Sequence, residues 1–478
     1  MMAMMNAPRL VFPCLLLCLL LAALTPSFAY DTTFRVSVGS GDLVRNGASW
    51  LPSISADGRY VAFLSNASNL VEGDTNGEYD SFVGDRLLGT IERVSVSSAG
   101  AEANDESYYV SISADGRYVA FRSCATNLVD DDTNGHTDIF LHDRGTGTTE
   151  RVSVSSGGAE ANDWSQYCCI SADARYVAFH SWASNLVEGD NNGAADVFVR
   201  DLLLGTTERV SVTSAGVEGN NESRHSSISA DGRYVAFWSC ATNLVDDDTN
   251  GWPDVFLRDR LAGTTERVSL SSAGGEGDDC SGYNDSAHAI SISADGMYVA
   301  FTSRATNLVE GDTNLSEDVF VRDPLAGTTQ RVSVSSACEE GDKKSRHPSI
   351  SADGRYVAFQ SLATNLVEGD SNGLRDVFVR DRLAGTTERV SLSSNNMEGQ
   401  GSSSEPSISP DRKFVAFASL ANNLVPGDTN GYQDVFVRGP TPVPPPQILL
   451  EVHPNERGPG PTAVTRFPGL DYWTWPAL

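Results

Sequence analysis

The chain has 478 residues, with 63 Asp and Glu against 34 Lys and Arg and a formal charge of −29 at pH 7. A balance so acidic repels nucleic acid and anionic lipid at long range and attracts cations and basic surfaces. With 40% hydrophobic residues the chain can build a core, and its length alone would suggest about two or three domains.

Residues 1–29 read as a secretory signal. Arg9 supplies the positive start, residues 10–24 are apolar apart from two cysteines and Pro13, and Ser27, Phe28 and Ala29 put small residues near a cleavage point. An uncleaved anchor is the alternative, but the apolar run falls short of the ~20 residues that a spanning helix needs. No membrane insertion is expected after cleavage, and the product is expected in the periplasm, at the cell surface or secreted, as a monomer.

Residues 33–38, TFRVSV, match the last strand of a repeat that begins soon after. The string SISADGRYVAF at residues 53–63 recurs from Ser111, Cys169, Ser227, Ser291, Ser349 and Ser407, seven copies in all. The spacing is 58 residues except for one of 64, where an insertion carries Cys280. Repetition at a fixed period overrides the expectation from length. Within a copy, apolar residues alternate with period two and no helical stripe occurs. From Ser111, a short strand SIS meets a tight turn at Asp115 and Gly116, and RYVAF follows as a second strand. A long polar loop leads to a third strand opened by Asp138. The Gly/Thr-rich turn at residues 145–149 then leads into ERVSV as a fourth. Four antiparallel strands repeated seven times predict an all-β, seven-bladed β-propeller over residues 30–439. The last copy stops after its third strand, so the N-terminal strand is expected to complete the last blade and close the ring. A solenoid would instead need caps, and none is visible.

Residues 440–446, PTPVPPP, form a stiff Pro-rich linker. Residues 447–478 carry Tyr472, Trp473 and Trp475 and are too few for a core, so they read as a disordered tail or a short aromatic docking segment.

The run SADGRYVAF followed by DVFVRD resembles the repeat of TolB-like, WD-like propellers, whose usual form has SPDG; here only Ser409, Pro410 and Asp411 keep the proline. The resemblance covers residues 32–438. It implies a TolB-like propeller and not TolB itself, whose sizeable α/β domain has no counterpart before the first strand.

Outside the leader six cysteines remain: Cys124, Cys168, Cys169, Cys240, Cys280 and Cys338. No Cys/His spacing suits zinc. Cys280 and Cys338, in corresponding loops of successive repeats, are the preferred disulfide, with two reduced thiols as the alternative. Motifs for Ser hydrolases, zincins, P-loops and dinucleotide folds are absent, so no catalytic residue is assigned. A carboxylate pair of the glycosidase kind would leave no local motif, which keeps an extracytoplasmic propeller hydrolase or lyase acting on polysaccharide as the rival reading.

The loop between second and third strands carries the recurrent chemistry. It holds Asp74, Asn76 and Asp80, with counterparts Asp132, Asn134 and Asp138; Asp190, Asn192 and Asp196; Asp248, Asn250 and Asp254; Asp370, Asn372 and Asp376; and Asp428, Asn430 and Asp434. Alternating oxygen side chains before a glycine resemble calcium loops. The same residues also suit a tight turn without any ion, Asn and Gly accepting left-handed angles and Asp capping amides. The copy with Asp312, Asn314 and Asp318 has Leu315 in place of Gly and is expected to be the poorest ion site.

Strand order puts these long loops and the blade-to-blade connections on one face and the short turns on the other. Two columns that vary between repeats lie just before the innermost strand. One holds Trp50, Tyr108, Gln166, Arg224, His288, Arg346 and Ser404. The next holds Leu51, Tyr109, Tyr167, His225, Ala289, His347 and Glu405. Of these, Trp50, Tyr108, Tyr109, Tyr167, Arg224, His225, His288, Arg346 and His347 are the candidate ligand-binding residues. Aromatic faces stack and Arg offers forked donors, so a protein or carbohydrate ligand bearing an anionic or sugar-like group is expected at the channel mouth. The leading reading is a non-catalytic binding or scaffold module, calcium-stabilised if the loops hold ions.

Overall fold

The computed structural model describes residues 32–39, 45–282 and 289–440. The leader, His288, the linker beyond Pro440 and the tail lie outside the described residues. No described helix is long and apolar enough to cross a membrane.

Seven four-stranded antiparallel sheets form the blades of a propeller. In blade 1 the strands are Ser49–Ile54, Tyr60–Ser65, Asp80–Asp85 and Thr90–Arg93, from the axis outward. Tight turns join the first pair and the last pair because their residues accept positive φ. Gly116, at the inner turn of blade 2, has φ 74, and a Cβ there would meet the Tyr60 ring of blade 1 at 2.2 Å.

Core packing follows from the VAF triplet of the second strand. Val61 and Phe63 face blade 7, where Ala416, Val435 and Val437 receive them, while Ala62 and Leu64 face Phe121 and Phe140 of blade 2. Large side chains on one sheet thus meet small ones on the next, which lets flat blades stack closely. Each blade carries a stacked Phe pair, Phe63 on Phe82 at 5.9 Å between centroids, with Phe417 on Phe436 at the same distance in blade 7. Both rings of the first pair are fully buried, and each contributes about 2–3 kcal/mol.

The ring closes twice. At the outer edge, Thr32–Arg35 pairs antiparallel with Asp434–Gly439 in the register Thr32 to Gly439 and Arg35 to Phe436. At the axis, the inner-strand hydroxyls of Ser53, Ser111, Ser227, Ser291 and Ser349 each accept the amide of an Ile in the next blade, and Ser407 accepts that of Ile54 at 3.3 Å. Cys169 stands at this position in blade 3.

The expected Cys280–Cys338 disulfide is not formed, and the six described cysteines are free. The two residues share a loop type but sit at opposite ends of it. Cys280 is buried beside Ser281, which pairs with Ser303 ahead of the innermost strand. Cys338 is exposed at the tip of a small hairpin, where its amide donates to the Ser335 carbonyl and Arg380 approaches its sulfur.

Deleting residues 32–38 should leave Asp434 buried without its Ser37 and Arg35 partners and bare the edge of Asp434–Gly439. The shortened chain is expected to melt at least about 10 °C lower or to aggregate, as read by circular dichroism and light scattering. Unchanged melting would mean that the ring does not depend on this seam.

Candidate functional site

The acidic loops come first, because their side chains are also structural. In blade 5, Asp318 opens the third strand with its side chain fully buried. Ser333 donates to its Oδ1, the Asn314 amide donates to its Oδ2 at 3.0 Å, and Arg331 lies 3.5 Å away. The same Arg331 head meets Asp312 at 3.4 Å and Glu340 at 2.6 Å. Glu340 also accepts the amide and hydroxyl of Thr313, at 2.9 and 2.7 Å. Arg331 therefore faces three carboxylates from three segments. Arg93, Arg151, Arg209, Arg267 and Arg389 repeat the arrangement.

Four of these groups bring one oxygen from each acid within 4.8 Å and could hold a metal ion: Asp74, Asp80 and Glu102; Asp190, Asp196 and Glu218; Asp312, Asp318 and Glu340; Asp370, Asp376 and Glu398. The set differs from the sequence expectation in five ways. The third acid is a Glu from the blade-to-blade connection, which the loop motif does not contain. Asn76, Asn134, Asn192, Asn250, Asn372 and Asn430 turn their NH2 groups toward the Asp and accept an amide two residues on with Oδ1, so each shapes its turn. The fifth loop, expected to be the poorest, is among the four, because Leu315 adopts φ 53 and lies 83% exposed in the glycine's place. The seventh loop is unsuited to a cation: Arg45 and Arg35 both ion-pair with Asp434, and Arg35 also reaches Asp428 at 3.2 Å. Asp132 with Asp138 and Asp248 with Asp254 fall outside the four groups.

Three acids on one Arg leave excess negative charge. Burial and neighbouring Asp138 push Asp132 up to about 6, and burial with Asp318 pushes Asp312 to about 7. The Glu members go the other way, held below their usual range by hydrogen bonds from Thr313 and its counterparts that outweigh burial.

The channel mouth is the second candidate. In six blades the innermost strand bulges between the first variable column and the axial Ser, as between Tyr108 and Ser111. The residue in the bulge is left-handed in all six: Leu51, Tyr109, Tyr167, His225, His347 and Glu405 have φ between 48 and 56. Non-glycine residues enter this region at a cost of about 1–2 kcal/mol each, and bulges of this kind re-aim side chains.

The result is a mouth in two halves. Across blades 1–4 aromatic rings run in contact: Trp50 against Tyr79 at 4.9 Å, Tyr79 against Tyr108 at 5.1 Å, Tyr109 against Tyr167 at 4.0 Å, and Tyr167 against His225 at 4.7 Å. The Tyr109 hydroxyl donates to that of Tyr167 at 2.9 Å. Arg122 lies over Tyr108, and Arg224 lies over Trp182. His180 stacks on Tyr167 at 5.1 Å, and neither of its ring nitrogens has a hydrogen-bond partner among the described residues. Burial, with His225 and Arg224 nearby, holds it far below the usual histidine range, so it is neutral. Across blades 5–7 the residues are ionic. Arg304 and Arg346 both pair with Glu317, and Lys344, Arg346, Gln360 and Arg375 surround a small pocket.

Below the mouth lies a cavity of about 160 Å³ lined by the axial Ser residues, Pro52, Pro348, Pro406, Tyr109, Tyr167 and Glu405. Glu405 accepts the Leu51 amide at 2.8 Å, and burial raises its pKa. Cys168 and Cys169 also line it. Burial pushes both thiols up, Cys169 to about 12, which disfavours the thiolate.

Sequence reasoning placed Trp50, Tyr108, Tyr109, Tyr167, Arg224, His225, Arg346 and His347 at this end. It missed Tyr79, Arg122, His180, Trp182, Trp238 and Arg375. The signal was present: Leu64, Arg122, His180, Trp238, Thr302, Gln360 and Ala418 form one variable column of the second strand. Tyr79, Thr137, Ala195, Pro253, Glu317, Arg375 and Gln433 form another, just before the third.

No family profile matches the chain, and no curated protein does. Among solved structures it is similar to TolB from Acinetobacter baumannii, at 16% identity over 81% of this chain and 79% of that one, with a TM-score of 0.37. It is also similar to oligogalacturonate lyase from Vibrio parahaemolyticus, at 12% identity, 85% and 96% coverage and a TM-score of 0.47. An oligogalacturonate lyase in complex with manganese aligns at 13% identity, 82% and 90% coverage and a TM-score of 0.49. TolB is thus among the structural neighbours, as the repeat implies, and the likeness is one of fold alone.

The raised carboxylates make a pH prediction. Asp312 ionises at higher pH in the folded than in the unfolded chain, so its contribution to stability is intact below about pH 4 and is lost as pH rises through about 7. Asp312→Asn removes that loss. In metal-free buffer the variant should match the parent's melting temperature near pH 4 and exceed it at pH 8, by scanning calorimetry. A variant less stable at pH 8 than at pH 4, relative to the parent, would contradict the assignment.

Proposed function

We propose that this chain is an exported, non-catalytic binding module, acting in the periplasm, at the cell surface or secreted, and that its channel mouth captures a carbohydrate-like ligand bearing an anionic group. The observation that carries this reading is the divided mouth. Aromatic faces across blades 1–4 suit stacking on sugar rings, and Lys344, Arg346 and Arg375 on the far side supply donors for a carboxylate, phosphate or sulfate. In a chain this acidic, such a cluster of cations beside an aromatic arc is a local departure from the rest of the surface. A polysaccharide hydrolase of the two-carboxylate kind would call for a second acid facing the first. Among the described residues lining the cavity, Glu405 is the one acid.

Calcium is the ion that oxygen-only groups of this kind favour. The Arg already seated among the three carboxylates neutralises part of their charge, and we take it to be the resident cation of each loop. Melting temperatures in EDTA and in millimolar Ca²⁺ are then expected to agree within about 1 °C. A rise of several degrees with Ca²⁺ would install the ion instead, since a ligand at a hundredfold excess over Kd stabilises by about 2.7 kcal/mol.

Binding is tested by calorimetry with acidic and neutral oligosaccharides. Tyr108→Ala with Arg346→Ala should abolish capture of the acidic ligand while the melting temperature stays within a few degrees of the parent. Arg346→Ala alone should narrow the preference for acidic over neutral ligands by roughly tenfold. Undiminished capture by the double variant would move the site to the outer loops or the tail.

A further inference from the structure

Among the described residues that line the axial cavity, Glu405 is the one charged side chain. Serine hydroxyls, three prolines and the Tyr109 and Tyr167 rings make up most of the remaining wall. Glu405 occupies the bulge of blade 7 with φ 56, and its Oε2 accepts the Leu51 amide of blade 1 at 2.8 Å. That is the carboxylate's one hydrogen bond among the described residues, and no ion pair closes on it there. A carboxylate withdrawn from water calls for a charged partner, and the protein leaves this place open.

Size, lining and position say what fills it. A bare metal ion fits poorly. The axial hydroxyls are each held by the amide of a neighbouring blade, as Ser407 is by that of Ile54, and they ring a space of about 160 Å³. Calcium instead needs about six to eight oxygens drawn in to roughly 2.3–2.6 Å. A positive group carried on an organic ligand fits better, meeting Glu405, serine oxygens and the two tyrosine rings, whose faces attract cations. Gln360 fixes the position: it lines the small pocket with Lys344, Arg346 and Arg375, and its Oε1 accepts the Glu405 amide at 3.0 Å. One side chain therefore separates the cationic pocket from the acid. A ligand that reaches both carries opposite charges within the span of a single sugar ring.

Resting on the reading that the mouth captures an acidic sugar, we propose that the axial cavity takes an ammonium group of that same ligand, with Glu405 as its acceptor. The ligand is then an amino sugar bearing an acidic substituent. A hydroxyl or an acetylated amine in the same place brings no charge to the carboxylate, so the cavity selects for the free amine.

Three probes isolate that charge: glucosamine 6-phosphate, N-acetylglucosamine 6-phosphate and glucose 6-phosphate, each titrated into the protein by calorimetry at pH 7. The amine should bind at least about tenfold more tightly than the other two. Glu405→Gln keeps an oxygen for the Leu51 amide and should bring the amine down to the affinity of the acetylated probe while melting no lower than the parent. Glu405→Leu, the residue that blade 1 carries at this position with φ 51, is the second variant and should do the same. Arg346→Ala should weaken all three probes alike, because it acts on the phosphate. Equal affinities of the parent for the three probes would overturn the inference and leave the acidic-sugar reading in place. An amine preference that survives both Glu405 variants would put the ammonium elsewhere and overturn it too. Binding of none of the three would overturn the reading of the mouth, and the inference with it.

Discussion

A carboxylate buried at the head of each third strand governs the rest of the molecule. Burying such a group costs several kcal/mol unless its oxygens are satisfied. Here the satisfaction comes from three places at once: a Ser beyond the outer strand, an Asn in the preceding loop and an Arg on the outer strand. Outer strand, third strand and loop are therefore fastened at one point, and the point recurs in every blade. In blade 7 the Ser and the Arg are Ser37 and Arg35, from the other end of the chain. Satisfying the seventh carboxylate and closing the ring are consequently the same event.

This device also explains why the acidic loops look like ion sites. Asp, Asn and Gly at calcium-loop spacing are needed here to shape a turn and to present an amide to the buried Asp. The positive charge such a loop requires is supplied by a side chain of the same blade. Oxygen count alone does not separate the two chemistries. Because fastening is done at the loop bases, the residues nearest the axis are relieved of it and are free to differ from blade to blade. Strain accumulates there: six left-handed non-glycine residues hold the side chains of the inner strands at the mouth.

The architecture was legible in the sequence because each blade repeats the same alternation, the same turns and the same VAF triplet. The missing fourth strand of the last copy likewise announced its partner at residues 33–38. The site was legible in part. Variation between copies pointed to Tyr108 and Arg346, and the same comparison extended to the second strand would have reached His180 and Trp238. Two things had no local signature. One is the Glu of each acidic group, which is 22 residues away in blade 5, from Asp318 to Glu340, and arrives through the connection between blades. The other is the bulge, since Leu, Tyr, His and Glu give no warning of a left-handed backbone that residue type would ordinarily disfavour. The Cys280–Cys338 expectation failed for a related reason: a shared loop is not a shared position within it.

Polarity between the two faces is the last consequence of strand order. An even number of strands per blade sends every long loop to one side, and with the loops go the excess acids, the variable columns and the cavity mouth. The short turns on the other side must be tight, and there five Asp–Arg pairs join the inner turn to the outer one, as Asp85 meets Arg59. Splitting one blade between the chain termini places both ends on that second side, because Thr32 and Gly439 are partners at the same edge. Any tether acting through the ends therefore leaves the mouth unobstructed. A ring closed instead by a complete terminal blade would have ended its chain at the loop-rich face, beside whatever the mouth receives.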